Sequence, residues 1–216
     1  MSSASAVERH QSVRPVAERY LRRERPLSAL VAVLAVSMFV GAYVASSLLP
    51  AVVVAGALLI LLRAPVFQSS GTIRLRTDGS PETIADSFAG PRPPVLALQW
   101  GTADEVSTDD GTATYRVSYL LGLRTAEVTV RCRTETTPGD GPRIELEIAA
   151  NGEPWATYTA TVSDEADGTL VDVEYTSSRR FGLRRLPQRF VAGRYRDEAL
   201  AAQGYAVVDR EDQFGL

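Results

Sequence analysis

Lysine is absent from this 216-residue sequence, and all 23 of its basic side chains are arginines, against 26 acids. The sequence also has a single cysteine, Cys132, and a single histidine, His10. A single cysteine excludes an internal disulfide. Cys132 and His10 together cannot supply the four ligands of a usual zinc site. A Ser-His-Asp or Cys-His centre would depend on His10, which lies in a polar N-terminal arm. We therefore expect no metal, no cofactor and no catalytic centre of that type.

Charge is missing from residues 27–62, the longest uncharged run in the chain. A helix rises about 1.5 Å per residue, so this run as one helix would reach about 54 Å. The apolar core of a bilayer is only about 30 Å thick. Ser46, Ser47 and Pro50 interrupt the run at a point where a second helix can start. The pattern predicts a transmembrane helical hairpin over 27–67, with helices at about 27–45 and 48–66.

Arginine placement predicts the orientation of this hairpin. Arginines precede the run at Arg9, Arg14, Arg19, Arg22, Arg23 and Arg25, and follow it at Arg63, Arg74 and Arg76. Positively charged flanks stay on the cytoplasmic side, so both termini should be cytoplasmic and the protein a two-helix membrane protein. A single span with an interfacial second segment is the alternative. A cleaved signal peptide fits poorly, because the apolar run is too long.

Net charge differs between the two parts of the chain. Residues 1–63 carry seven arginines and three glutamates, a net +4, whereas residues 64–216 carry 16 arginines and 23 acids, a net −7. An acidic domain is a poor partner for nucleic acid, and we expect none. An acidic surface without lysine suits a high-salt cytoplasm, although a GC-rich genome would also favour arginine over lysine.

Beyond the hairpin, short alternating segments predict an antiparallel sheet of about six to seven strands. The first strand is Gly71–Thr77, and a helix from Ser80 to about Phe88 follows it, with Pro81 at its first position. Further strands are predicted at Val95–Val106, Thr112–Leu120, Arg124–Glu135, Arg143–Ala149, Trp155–Val162 and Thr169–Thr176. A long helix over about Leu183–Gln203 closes the domain, giving an α+β class.

Turn residues and alternation support this assignment. Turns are marked by Asp109–Gly111, Pro138–Gly141, Asn151-Gly152 and Asp167-Gly168, which contain residues that tolerate positive φ. Along one strand Ala126, Val128, Val130 and Cys132 share a face opposite charged and polar residues. One face is therefore expected to be buried and the other solvated, with Cys132 as an inward-facing small hydrophobe.

The segments Gly71–Thr77, Ser80–Phe88, Asp167–Tyr175 and Ala201–Tyr205 occur in an order that resembles the START-like superfamily, also called SRPBCC or polyketide cyclase/dehydrase-like. The resemblance covers about 71–210. It implies a helix-grip domain, in which the sheet wraps on the long C-terminal helix around an apolar cavity. Members of the family bind lipids, quinones, sterols or polyketides, and a minority are enzymes. The resulting domain boundaries are an Arg-rich arm at 1–26, the hairpin at 27–67, a START-like domain at 70–210 and a tail at 211–216.

Inward-facing apolar residues are the first candidate site. If the domain encloses a cavity, its predicted lining is Trp100, Tyr115, Val117, Tyr119, Val128, Val130, Ile144, Leu146, Val171, Val173 and Phe190. The alternative is that the same side chains form a solid core.

A run of arginines is the second candidate site. It comprises Arg179, Arg180, Arg184, Arg185, Arg189, Arg194 and Arg196, of which the first five are the predicted contacts to an anionic head group. The alternative is a solvated helix face, paired with acids such as Asp172 and Glu174.

Three functions remain open at this point. The leading hypothesis is a membrane-anchored cytoplasmic domain that binds an apolar or amphipathic ligand, such as a lipid, isoprenoid or quinone. The second is a non-catalytic regulatory or scaffold domain at the membrane. The third, a cyclase-like enzyme, finds only scattered carboxylates and strand tyrosines, so the sequence identifies no catalytic residue.

Overall fold

The computed structural model describes residues 2–65, 67–119, 124–137, 140–182 and 186–215. Its helices are α1 (Ser2–Ala45), α2 (Leu48–Arg63), α3 (Pro81–Ala89), α4 (Ala97–Gly101) and α5 (Leu186–Ala201). Its strands are β1 (Gln68–Thr77), β2 (Glu105–Asp109), β3 (Thr112–Tyr119), β4 (Arg124–Thr137), β5 (Asp140–Ala150), β6 (Glu153–Glu165), β7 (Gly168–Ser177) and β8 (Ala206–Gly215). A short 3-10 turn, Pro94–Leu96, leads into α4.

The eight strands form one antiparallel sheet in the order β2-β3-β4-β5-β6-β7-β1-β8. Two of the hairpin turns adopt the conformation that their residues predict. Asp110 and Gly111 have φ of 43° and 72°, and Asn151 and Gly152 have φ of 52° and 78°. Two consecutive positive φ angles match the right-handed twist of the flanking strands, which is why these residue pairs connect adjacent strands.

One face of the sheet packs against the helices, and the core lies between them. From the helical layer, Ile84 and Phe88 of α3 and Trp100 of α4 are buried. The α5 helix contributes Ala192, Tyr195, Ala199 and Leu200, which recur at the spacing of one helix face. The predicted α+β class and antiparallel sheet are therefore confirmed, and the sheet has eight strands instead of six to seven.

The predicted strand Val95–Val106 is wrong. Residues 94–96 form the 3-10 turn, residues 97–101 form α4, and only 105–109 form a strand. Every residue from Pro94 to Leu98 is buried. A short apolar run that is buried throughout has no alternation, so its pattern does not distinguish a strand from a buried helical turn.

The strand β8 was not predicted from the sequence. Residues 206–215, which include most of the predicted tail, pair with β1 from Gln68↔Gly215 to Arg76↔Ala206. The strand carries Asp209, Glu211 and Asp212, residues that are unfavourable in strands and that hide the signal. Charges on an edge strand also discourage pairing with other chains, which fits the position of β8 at the end of the sheet.

The chain before the sheet forms two helices that pack on each other. The turn lies at the predicted position, where Ser46 Oγ donates to the Ala42 carbonyl at 2.6 Å. Ser47 precedes α2 without the expected side-chain cap. Within the described ranges, none of the helices has both the length and the apolar character that a membrane crossing requires. The helix α2 has 16 residues, about 24 Å at 1.5 Å per residue, so the structure supports the helical pair and its turn but not two spans.

The N-terminal part of α1 packs on the domain. Val13, Val16 and Ala17 are buried within the main core. Val13 and Ala17 pack against Gly101 of α4, where a built Cβ would lie 3.0 Å from Val13 Cγ1 and 3.3 Å from Ala17 Cβ. Ion pairing and ring packing extend the contact to α5, through Arg19–Glu198 at 3.4 Å and Tyr20–Tyr195 with ring centroids 5.8 Å apart. The segment predicted as a polar arm is therefore one continuous helix with the first helix of the pair.

Candidate functional site

A row of facing residues crosses the sheet near β8. Tyr158 of β6 pairs with Tyr175 of β7, Tyr175 with Gly71 of β1, and Gly71 with Asp212 of β8. Residues that are directly paired point to the same face of a sheet. Two tyrosines, a glycine and a carboxylate therefore line up on the face that the helices cover.

Gly71 lets the Tyr175 ring cross β1. A Cβ built on Gly71 would lie 2.9 Å from Tyr175 Cε1 and 3.0 Å from its hydroxyl oxygen. With that space open, the Tyr175 hydroxyl donates to Asp212 Oδ1 at 2.5 Å, and its ring stacks on Tyr158 with centroids 5.7 Å apart. Burial, together with the hydrogen bond to the Asp212 carboxylate and its negative charge, raises the pKa of Tyr175 above its ordinary value. Tyr175 is therefore a protonated donor at any ordinary pH.

The next row brings Arg210 of β8 opposite Ile73 of β1. Its side chain is 17% exposed and reaches α5, where Nη2 lies 2.6 Å from Asp197 Oδ1. The two atoms are not aligned as a hydrogen bond, and both they and Arg210 Nε are buried without a hydrogen-bond partner. Burial raises the pKa of Asp197, and the nearby Arg210 opposes that rise. The Nε–H group of Arg210 is thus buried without an acceptor, whereas Nη2 faces the Asp197 carboxylate.

Arg196 lies on the same stripe of α5 as the buried Tyr195, Ala199 and Leu200. It is half-buried and makes no hydrogen bond or ion pair with the residues that the structure describes. Other arginines of the domain are paired, including Arg194 with Glu198 at 3.6 Å and Arg74 with Asp172 at 2.7 Å. Arg196 therefore differs from its neighbours by facing inward without a carboxylate partner.

Two adjoining clefts lie between the sheet and the helical layer, and both are lined by Tyr158, Tyr175 and Arg196. The lining of the first is completed by Ile73, Pro94, Val95, Ala97, Leu98, Leu200 and Arg210, and its volume is about 10 Å³. The lining of the second is completed by Ser69, Leu96, Gln99, Ile148, Trp155, Ala156 and Ser177, and its volume is about 30 Å³. A volume of this size holds about one or two waters, so the helices close tightly over the clefts.

The predicted cavity residues lie elsewhere on the covered face, and none of those that the structure describes lines either cleft. Tyr115, Val130, Ile144, Leu146, Val171 and Val173 are buried in the core, and Val117 and Val128 are half-buried. Trp100 is buried in α4, where its Nε1 donates to the Pro93 carbonyl at 2.9 Å. The side chains of Tyr119 and Phe190 lie outside the described part of the structure.

The structure describes only part of the predicted arginine cluster. Arg179 Nη2 lies 2.5 Å from Glu153 Oε2, and Arg180 is exposed. Arg184 and Arg185 lie outside the described residues, as does the side chain of Arg189. Among the described residues, Asp172 pairs with Arg74.

Among the polar cleft residues, Tyr158, Tyr175 and Arg210 were not assigned to a site from the sequence. The two tyrosines alternate in phase with the buried residues Ala160 and Val173, so their inward direction was predictable. Arg210 offers no such signal, because its strand was not predicted. Arg196 belongs to the predicted arginine cluster but not to its five predicted head-group contacts, and its position four residues after Ala192 places it on the apolar stripe of α5.

Comparison with known proteins finds similarity among solved structures only. No protein-family model and no curated protein matches the sequence. The chain is similar to the Mll3558 protein of Rhizobium loti, with 22% identity, a TM-score of 0.41, and coverage of 63% of this chain and 98% of that one. It is also similar to a START superfamily protein of Mycobacterium smegmatis, with 14% identity, a TM-score of 0.38, and coverage of 62% and 93%.

Proposed function

We propose that this chain binds a small amphipathic molecule in the cleft beneath α4 and α5. The observation that carries the proposal is the shared lining of the two clefts, where Tyr158, Tyr175 and Arg196 converge beside apolar side chains. A mostly apolar pocket with a few convergent polar groups is the usual form of a small-molecule site.

Binding requires the helical layer to move outward, because the clefts are too small for an alkyl chain as they stand. The α4 helix is a single short turn of five residues that follows a proline-rich segment. A helix this short has few backbone hydrogen bonds of its own, so the cost of moving it lies mainly in the apolar contacts of its buried side chains. We therefore expect a ligand to separate α4 from β6 and β7 and to occupy the space between the two tyrosine rings and the helices.

We further propose that the helical pair α1–α2 attaches the domain to a membrane from its cytoplasmic side. Between residues 30 and 60, many of its described apolar side chains are exposed: Leu30, Val33, Leu34, Val36, Met38, Val40, Tyr43, Val44, Leu48, Leu49, Val52, Val53, Leu59 and Ile60 are each 48% exposed or more. A contiguous apolar surface of this extent is unusual in a protein surrounded by water. A hairpin that enters and leaves on one side needs to be embedded but need not cross fully, and the arginine flanks favour the cytoplasmic side.

Membrane attachment can be tested by flotation of the full chain with phosphatidylcholine vesicles. We expect the unmodified protein to float and Val53→Asp with Ile60→Asp to sediment, because each buried charge costs about 2.5–3.5 kcal/mol near the bilayer centre. Val208→Asp is the matched control, since Val208 is 51% exposed on β8, far from the helical pair. If the unmodified protein stays with the unbound fraction, the membrane proposal fails. Protease cleavage of the domain from the outside of sealed cells would contradict the cytoplasmic orientation.

Ligand binding can be tested by fluorine NMR, because the chain has only two tryptophans. Trp155 lines the second cleft, whereas Trp100 lines neither. With fluorotryptophan-labelled protein in nanodiscs, we expect decanoate to shift the Trp155 resonance saturably, and the resonance of Trp100, which lies in α4, to report the accompanying movement of that helix. Trp155→Phe assigns the resonances.

A substitution that narrows the cleft makes this test specific. We expect Ala156→Val to weaken the shift, because Ala156 lines the second cleft, and Ala126→Val to retain it, because Ala126 is a half-buried strand alanine that lines neither. Absence of a saturable shift with any alkyl probe would indicate that the small clefts do not open for a ligand. That result would favour the second function, a non-catalytic scaffold at the membrane. The cyclase-like alternative draws on one observation, the Tyr175–Asp212 hydrogen bond at the cleft.

A further inference from the structure

We propose that Arg196 and Arg210 form an anion-binding end of this cleft, so that the ligand carries an acidic head group, a carboxylate or a phosphate. This inference rests on the proposed function, because it specifies the chemistry of a ligand in the same cleft. The two arginines come from different elements, α5 and β8, and both line the first cleft.

Arg196 supplies a charge that forms no direct ion pair with the described residues. Arg210 faces Asp197 in an ion pair, and Tyr175 donates to Asp212. The Asp197 carboxylate is near enough to interact with the charge of Arg196, but the two side chains form no ion pair of their own. A half-buried cation on an apolar helix stripe costs free energy unless an anion compensates it, and a bound acidic group would do so.

Arg210 supplies buried donors with a suitable geometry. Its Nε atom is buried without a hydrogen-bond acceptor, whereas Nη2 lies 2.6 Å from Asp197 Oδ1 in an ion pair. Guanidinium N–H groups form a planar fork that matches the two oxygens of a carboxylate or phosphate. An acidic head group that reached this position would complete hydrogen bonds that the protein itself does not make.

The tyrosines add a neutral donor between the arginines and the apolar wall. The Tyr158 side chain is buried and lines both clefts, and its hydroxyl has no hydrogen-bond partner among the residues described. It stacks on Tyr175, whose own proton is committed to Asp212. Tyr158 can therefore donate to an acid oxygen, while the ring faces and Leu98 and Leu200 remain for an alkyl chain.

A matched pair of probes tests the head-group specificity in the same fluorine NMR assay. Decanoate and decanol have the same chain length and differ in charge. We expect the full chain in neutral phosphatidylcholine nanodiscs to bind decanoate about 10- to 100-fold more tightly than decanol, the range expected for hydrogen bonds to a charged group. We expect Arg196→Gln to remove most of this preference by weakening decanoate and leaving decanol unchanged.

Arg194→Gln is the matched control, because Arg194 lies two residues away on the same helix and its side chain is 77% exposed. Arg196→Lys keeps the charge and should retain part of the preference, which distinguishes loss of charge from misfolding. In the absence of a probe, an unchanged Trp100 resonance shows in each variant that the domain is folded.

The outcomes separate the inference from the function on which it rests. Equal affinity for decanoate and decanol, or no effect of Arg196→Gln, overturns the anion site and leaves amphipath binding standing. No binding of either probe overturns the proposed function itself. Inorganic phosphate that binds as tightly as decanoate would keep the anion site but would overturn the amphipathic ligand in favour of a free anion. A decanoate affinity that falls when phosphatidylglycerol is added to the nanodisc would identify a lipid head group as the competing source.

Discussion

We expect Gly71→Ala to destabilise the domain by about 3 kcal/mol or more, a large effect for the addition of one methyl group. A Cβ at this position would overlap the backbone carbonyl oxygen of Glu211 and press on the Tyr175 ring. Backbone on one side and a buried aromatic on the other leave no direction in which the methyl group can be accommodated. Relief requires β8 to separate from β1 or Tyr175 to leave the row, and either change disrupts the Tyr175–Asp212 hydrogen bond.

Urea unfolding followed by circular dichroism measures the loss of stability, and amide hydrogen exchange measures the detachment of β8. Gly215→Ala is the matched control, because Gly215 lies in the same strand pair and a Cβ there meets nothing within 4 Å. A Gly71→Ala protein with the stability of the Gly215→Ala protein would show that β1 and β8 are not packed as described.

The second large effect is expected for Trp100→Ala, at about 3–5 kcal/mol of unfolding free energy. Trp100 is only 2% exposed, so the substitution leaves a cavity beneath α4. It also removes the indole N–H that donates to the Pro93 carbonyl at 2.9 Å, so this buried carbonyl loses its hydrogen bond from Trp100. A loss of this size lowers the melting temperature of a domain this large by about 10 °C.

Differential scanning calorimetry of three variants separates the two causes. Trp100→Phe keeps most of the ring volume and removes the hydrogen bond, so it should cost about 1–3 kcal/mol. Trp155→Ala is the control, because Trp155 is half-buried at the cleft and its loss leaves a wetter, smaller cavity. If Trp100→Ala cost no more than Trp155→Ala, the segment from Pro94 to Gly101 would not be part of the core.

Amphipathic strands were predictable because alternation reports burial directly. In β5 the alternation predicts that Ile144, Leu146 and Ile148 point inward. All three are buried, and charged residues lie between them in the sequence. Turn positions were equally readable, because Asp110 and Asn151 have the positive φ that their residue types tolerate. In both cases the signal lies in residues that are close in sequence.

The site was much less predictable, because it is assembled by strand register. Tyr175 reaches Asp212 only because Gly71 lies between them in a paired row, and β8 gave no strand signal of its own. Arg196 and Arg210 meet through the packing of α5 on β8, a contact between separate elements. Local patterns predict which face a residue takes, but they do not specify which distant residue lies opposite.

The uninterrupted course of α1 restricts how the domain can turn. This helix of 44 residues extends about 66 Å at 1.5 Å per residue. Val13 and Ala17 near one end are locked against Gly101, while the other end is packed against α2. A flexible linker would let the domain rotate independently of the helical pair. A helix shared by the domain and the pair couples their orientations. The cleft is therefore joined to the helical pair by continuous helical backbone, and we expect a rotation of that pair to displace α4 and α5.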